Sequence, residues 1–161
     1  MRKSQVSAVL GATLCVCWAM SAKASDFYFA GSSDADHIAI IDPSTISAVQ
    51  NGHKTFHLAD ISAYTLWIDF TMEVDCGSQR WQLVSVISHL AGGSTMDFTS
   101  QNPNVHVWKT LDSGSSDALN HDLVCQYPDK KPTGDNVLQF ADFQSALEAV
   151  SKVIVNHRKD N

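Results

Sequence analysis

Asp75-Cys76-Gly77-Ser78-Gln79-Arg80-Trp81-Gln82-Leu83-Val84-Ser85-Val86-Ile87 is the stretch on which the reading of the fold turns. Its second residue is a cysteine, it bends at Gly77-Ser78, and from Arg80 it is strand-like, continuing to residue 90. Trp81, Leu83 and Ile87 alternate there with Val84, Val86 and Leu90, so both faces carry apolar residues. Two apolar faces predict a central strand covered on both sides. The second anchor of the span is Cys125, and everything between the two cysteines reads as strand, loop and one short helix.

The pairing of these cysteines follows from the start of the chain. Arg2 and Lys3 precede an uncharged, mostly apolar run over residues 6–20, and Ala22-Lys23-Ala24 supplies small residues for a signal peptidase. This pattern predicts an export signal over residues 1–24, cut between Ala24 and Ser25. The apolar run is shorter than the ~20 residues of a spanning helix. Cys15 follows Leu14 and Cys17 follows Val16, both poor contexts for a lipid-acceptor cysteine, so both are expected to leave with the signal. Cys76 and Cys125 then remain, and an oxidising compartment favours a disulfide between them.

Removing Arg2, Lys3 and Lys23 takes the formal net charge from −6 to −9. An acidic surface of that kind repels nucleic acid and anionic headgroups. The remaining basic residues are scattered except for Lys130-Lys131 and Arg158-Lys159. No second long apolar segment follows, so no transmembrane segment is expected after cleavage.

Upstream of Cys76, Phe27-Tyr28-Phe29 reads as a short strand ending in a Gly31-Ser32-Ser33-Asp34 turn. Residues 37–42 form a β-branched strand that Pro43 stops. Asn51-Gly52 marks a tight hairpin turn. From His53 the apolar residues change phase, Phe56 and Leu58 on one face and Ile61 and Ala63 on the other, which predicts a bulge, a twist or a strand break near Ala59-Asp60. Downstream, Ala91-Gly92-Gly93-Ser94 turns the chain into a return strand at residues 95–98, and residues 105–108 read as another.

Ser116 is placed to cap a short helix over residues 117–124, with Leu119 and Leu123 as its apolar face. Residues 126–134 read as a linker. An amphipathic helix over residues 140–156 follows, its stripe formed by Phe143, Leu147, Val150 and Ile154 and widened by Phe140 and Val153. The fold class is therefore α+β: an antiparallel sheet, a short disulfide-tied helix and a C-terminal amphipathic helix packed on the sheet. Residues 25–125 form the β-rich domain, and residues 126–161 pack on it.

Catalytic and metal signatures are sparse. Seven histidines (His37, His53, His57, His89, His106, His121, His157) invite a metal reading. However, His53 and His57 lie in a strand, where four residues span about 13 Å and cannot share one zinc. There is no Gly-x-Ser-x-Gly, Ser-x-x-Lys, Walker or Gly-x-Gly-x-x-Gly pattern. Aspartates such as Asp34, Asp36, Asp112 and Asp135 fit solvated loops. Trp67, Trp81 and Trp108 fall in strands, where core packing is the default and an edge position would instead anchor a partner. No catalytic, cofactor or metal residues are assigned.

The order of these features resembles the surface-adhesin protein E family of Gram-negative bacteria. The features are the export signal, the aromatic strand with Gly-Ser-Ser-Asp, Asp42 to Ile46, the Asn-Gly turn, Cys76 with Arg80-Trp81, Trp108, and a short helix closing on Val124-Cys125. The resemblance covers residues 27–125. It implies a small sheet with a disulfide-tied helix and an envelope or surface location, and for the family's namesake, adhesion to host proteins. The signal here lacks the namesake's lipid-acceptor cysteine. The expected function is an exported, non-enzymatic protein that binds a protein or envelope component. The alternatives are a periplasmic hydrolase using His and Asp residues, and a structural envelope accessory docking through its C-terminal helix.

Overall fold

The computed structural model describes residues 24–34, 36–63, 66–90 and 92–160. The expected signal, with Cys15 and Cys17, lies outside them apart from Ala24. Nine strands among the described residues form one antiparallel sheet: β1 Ser25–Asp34, β2 His37–Ile41, β3 Ser47–Ala48, β4 His53–Ser62, β5 Trp67–Asp75, β6 Arg80–His89, β7 Thr95–Asp97, β8 Lys109–Thr110 and β9 Val137–Phe140. The order across it is β7-β6-β5-β4-β2-β1-β9, with β3 beside β4 and β8 beside β6. Helix α1 (Ser116–Gln126) lies on one face, and helix α2 (Phe143–Asp160) lies on the other. No helix among the described residues is long and apolar enough to cross a membrane.

The two helices account for the phase change in β4. Its register with β5 runs unbroken from His53↔Asp75 to Ile61↔Trp67, so no bulge or break interrupts it. Phe56 and Leu58 point to the α1 face and pack with Val74 and Val124. Ala59 and Ile61 point to the α2 face and pack with Leu147, Val150 and Ile154. The burial switches faces along the strand because a different helix covers each end. Coverage overlaps at β1 and β2, where Phe27 and Ile40 belong to one core and Tyr28 and Ile41 to the other.

Strand β6 is therefore not the doubly covered centre. It is second from the edge, and a register shift explains its two apolar faces. Met72 pairs with Leu83 but Thr71 with Ser85, leaving Val84 as the extra residue of a bulge. The bulge puts Trp81, Leu83 and Val86 on one face despite their mixed parity.

Other boundaries also move. β1 continues through the Gly31–Asp34 segment rather than turning there, with register shifts after Phe29 and after Gly31. Gly31 has φ +140 and lies against Ser116 of α1, a backbone shape that suits glycine. Asn51 and Gly52 both have positive φ (63 and 79) in the tight connection over residues 49–52 that joins β3 to β4. Of the strand expected over residues 105–108 only an isolated bridge from Val105 to Leu83 forms; His106 turns the chain, and the strand itself is Lys109–Thr110. Phe140 ends strand β9 instead of opening the helix, Val137–Gln139 lie between the expected linker and the expected helix, and α2 begins after an Asp142 cap that accepts the Ser145 N–H at 2.7 Å. The α2 stripe of Phe143, Leu147, Val150 and Ile154 packs on the sheet as expected, while Val153 is 59% exposed rather than part of it.

Candidate functional site

Helix α1 is held by polar contacts as well as by the packing of Val124, Leu123 and Cys125. Ser115, not Ser116, caps it by accepting the Ala118 N–H at 3.1 Å, and Asp117 occupies the first turn. Its buried face is Asn120, His121 and Val124. Asn120 donates to the Ala30 carbonyl at 3.0 Å, reaching the residue that falls between the paired positions Phe29 and Gly31. His121 Nε2 lies 3.1 Å from the Asp75 carbonyl, which it meets as donor. The Lys54 ammonium donates to the carbonyls of Val124, Cys125 and Tyr127 at 3.1, 2.9 and 2.5 Å, satisfying the open C-terminal end of the helix. The Cys76–Cys125 disulfide adds a covalent tie with a Cα separation of 5.5 Å, and Cys125 lies within the last helical turn.

These anchors rotate the helix against its expected orientation. Leu119, read from its spacing as an inward residue, is 67% exposed. Leu123 is half-buried at the edge of the α1-side core. Both line a groove of about 460 Å³ between α1, the outer edge of β1 and the segment after the disulfide. Phe29, 39% exposed, stands on the β1 side of it, and Lys130 and Lys131 stand at its far end. An outward leucine and phenylalanine at one concavity are an exposed apolar patch of the kind that marks an interaction site.

The α2 face is different where α2 does not reach. His53, Thr55 and His57 of β4 stand beside Asp69, Thr71, Glu73 and Asp75 of β5, and these beside Gln82 and Ser85 of β6. His53 Nδ1 is 2.8 Å from Glu73, whose other oxygen accepts from Gln82 at 2.7 Å. His57 Nδ1 is 3.1 Å from Asp69. The His57–Asp69 pair borders a hollow of about 200 Å³ walled by Trp67 and Phe143. Trp108 stands edge-on to His53 with the Arg80 guanidinium 5.4 Å from its ring centre.

Asp75 is the tightest knot of this ladder. It accepts from the Ser78 hydroxyl at 2.6 Å, the Arg80 guanidinium at 2.7 Å and the Gly77 N–H at 3.0 Å. The Ser78 hydrogen bond first, then Arg80, hold its carboxyl well below the usual 3.8, against the opposing effect of burial. A carboxylate with a depressed native pKa stabilises the fold above its unfolded pKa, and that contribution is lost as pH falls through the native value. The wild type should therefore lose stability on acidification below about pH 4. Asp75→Asn should be less stable near neutrality and show a flatter profile. Urea midpoints measured from pH 7 down to pH 2 check this, and parallel profiles would refute it.

Compared with known proteins, the chain matches no family model, no curated protein and no solved structure.

The remaining histidines do not converge. His37 faces Asp60 at 3.4 Å, His89 stacks on Trp67 with ring centres 3.7 Å apart, and His106 and His157 are exposed. His53 lies between two carboxylates, Nδ1 on Glu73 and Nε2 3.8 Å from Asp75, and His57 turns to Asp69. Among the described residues no three His, Cys, Asp or Glu side chains are placed to hold a metal ion. Trp81 packs against the α1-side core beneath Lys109, and Trp67 and Trp108 contact histidines rather than lying wholly inside. Sequence reading missed Lys54, Asn120 and the outward turn of Leu119. Lys54 acts on carbonyls about seventy positions away, and nothing in its own neighbourhood announces that.

Proposed function

We propose that this chain is an exported, non-enzymatic binding domain of the surface-adhesin protein E kind. It acts in the periplasm or at the cell surface on a protein or other envelope component. The observation that carries the reading is the inverted helix: α1 turns Asn120 and His121 inward and leaves Leu119 open beside Phe29. Exposing leucine while burying amide and imidazole groups runs against the usual partition of side chains. A partner that covers the groove gives this arrangement a use. The signal-like opening, the cysteine pair and the order of motifs over residues 27–125 support export and the family reading, and the acidic balance argues against nucleic acid.

The test uses immobilised protein beginning at Ser25, exposed to envelope and host-matrix fractions. Wild type should retain a partner that Leu119→Asp loses by about tenfold, with unchanged thermal stability because exposed substitutions shift stability by only about 0.5 kcal/mol. Equal retention by both proteins, or none by either, would sink the reading.

A second reading, an exported hydrolase-like enzyme, is favoured by the His57–Asp69 contact beside the Trp67–Phe143 hollow. A carboxylate on Nδ1 orients an imidazole so that Nε2 can act as a base. Turnover of a chromogenic ester or amide panel that disappears in His57→Ala would establish it, and absence of turnover in the wild type would remove it.

A further inference from the structure

The groove beside α1 has a shape and lining that narrow what it would hold. Strand β9 covers the outer edge of β1 only from Ser25 to Tyr28, where Tyr28 pairs with Val137. Beyond that point the β1 edge runs on through Phe29 and Gly31 along the floor of the groove, with Leu119 and Leu123 forming the opposite wall. An extended chain fits between a strand edge and a helix of this kind.

Three features select among apolar occupants. The groove is open along its length rather than a closed tunnel. The amides of Gln126 and Asn136 also line it. Such groups match the N–H and C=O groups of a peptide but would leave an acyl chain beside polar atoms. Finally, Lys130 and Lys131 place two adjacent cations at one end, in a chain whose formal charge is −6. Asp122 also lines the groove, so the negative group of the occupant belongs at the lysine end and not along the α1 wall. The Ala30 carbonyl is already taken by Asn120, so recognition rests on side chains and on those amides more than on a full main-chain ladder.

We propose that this groove binds an extended segment of a partner protein that presents large apolar side chains followed by a terminal or side-chain carboxylate, with Leu119, Leu123 and Phe29 taking the side chains and Lys130 and Lys131 the carboxylate. This inference rests on the binding reading above. The probe is a set of fluorescent decapeptides with leucine or phenylalanine at alternate positions, ending in a free acid, an amide or a lysine. In anisotropy titrations the acid-ended peptides should bind about tenfold more tightly than their amide-capped counterparts. Lys130→Glu/Lys131→Glu should abolish that preference, Leu119→Asp should abolish binding, and His57→Ala should change neither. Binding should weaken as salt rises.

Equal affinity for acid and amide forms would overturn the proposal. So would competition by palmitate at equal strength, which would mark an acyl site. Leu119-dependent self-association of the protein without peptide binding would also overturn it and mark an interface between copies. If an envelope partner is retained through Leu119 yet no peptide competes, the peptide inference fails and the binding reading stands. If Leu119→Asp leaves retention unchanged, both fail.

Discussion

Replacing Cys76 and Cys125 together by serine is expected to lower the unfolding free energy by about 4 kcal/mol. The bridge closes 49 sequence steps, and the loop-closure entropy it removes from the unfolded chain is of that size in the chain-entropy model. Against a usual total of about 5–15 kcal/mol, this loss brings the domain close to the margin of folding. The native arrangement of α1 should nevertheless persist in whatever fraction stays folded. Lys54 still holds the three carbonyls at the helix end, His121 still meets Asp75, and Asn120 still meets Ala30. The bridge is thus a staple added to a helix already seated. Urea unfolding with and without reductant measures the loss, and a shift below about 1 kcal/mol would show that the entropy account fails here.

Ile154→Ala should cost about 2–5 kcal/mol, the range for truncating a buried isoleucine. Ile154 is 1% exposed and packs in the core that joins α2 to Phe27, Ile40 and Ile61. Val153→Ala, one residue away on the same helix, should cost no more than about 0.5 kcal/mol because its side chain is 59% exposed. The contrast separates a helix integral to the fold from one that merely adheres. Similar small costs at both positions would mean that α2 contributes little to the stability of the sheet.

The features legible in the sequence were those with local or countable signals. Pro43 ends β2, Asn51-Gly52 makes its turn, and the Phe143-Leu147-Val150-Ile154 stripe faces the sheet. The two cysteines left after the opening segment are bonded to each other. The α+β class followed from these. Features that depend on what lies across the sheet were not legible. The change of face in β4 looked like a bulge because the sequence does not reveal that helices on opposite faces cover its two ends. The actual bulge, at Val84, was hidden inside an apolar run that alternation alone could not divide. Four residues, Val137 to Phe140, were too short to announce β9 beside a strong helical pattern.

The groove was the least visible of all. Leu119 and Leu123 have the spacing of an inward face, and the distant partners Ala30, Asp75 and Lys54 set the helix so that Leu119 turns outward while Leu123 stays half-buried. The His–carboxylate ladder is equally non-local, since His57 and Asp69 meet through cross-strand register rather than sequence spacing.

Strand β9 has a consequence for the order in which the molecule can be assembled. It pairs with β1, so Asp26 waits for Gln139, and Phe27 waits for Leu138, Phe140 and the whole of α2 to complete its surroundings. A chain synthesised from its N-terminus cannot close this sheet while it is still emerging. Contacts of such long separation form late and slowly. Until the final strand arrives, Phe27, Ile40 and Ile61 stay open to water, to proteases and to neighbouring chains. Completion of the fold is therefore tied to completion of the chain, and one cut short after Cys125 would lose the core that α2 and β9 complete.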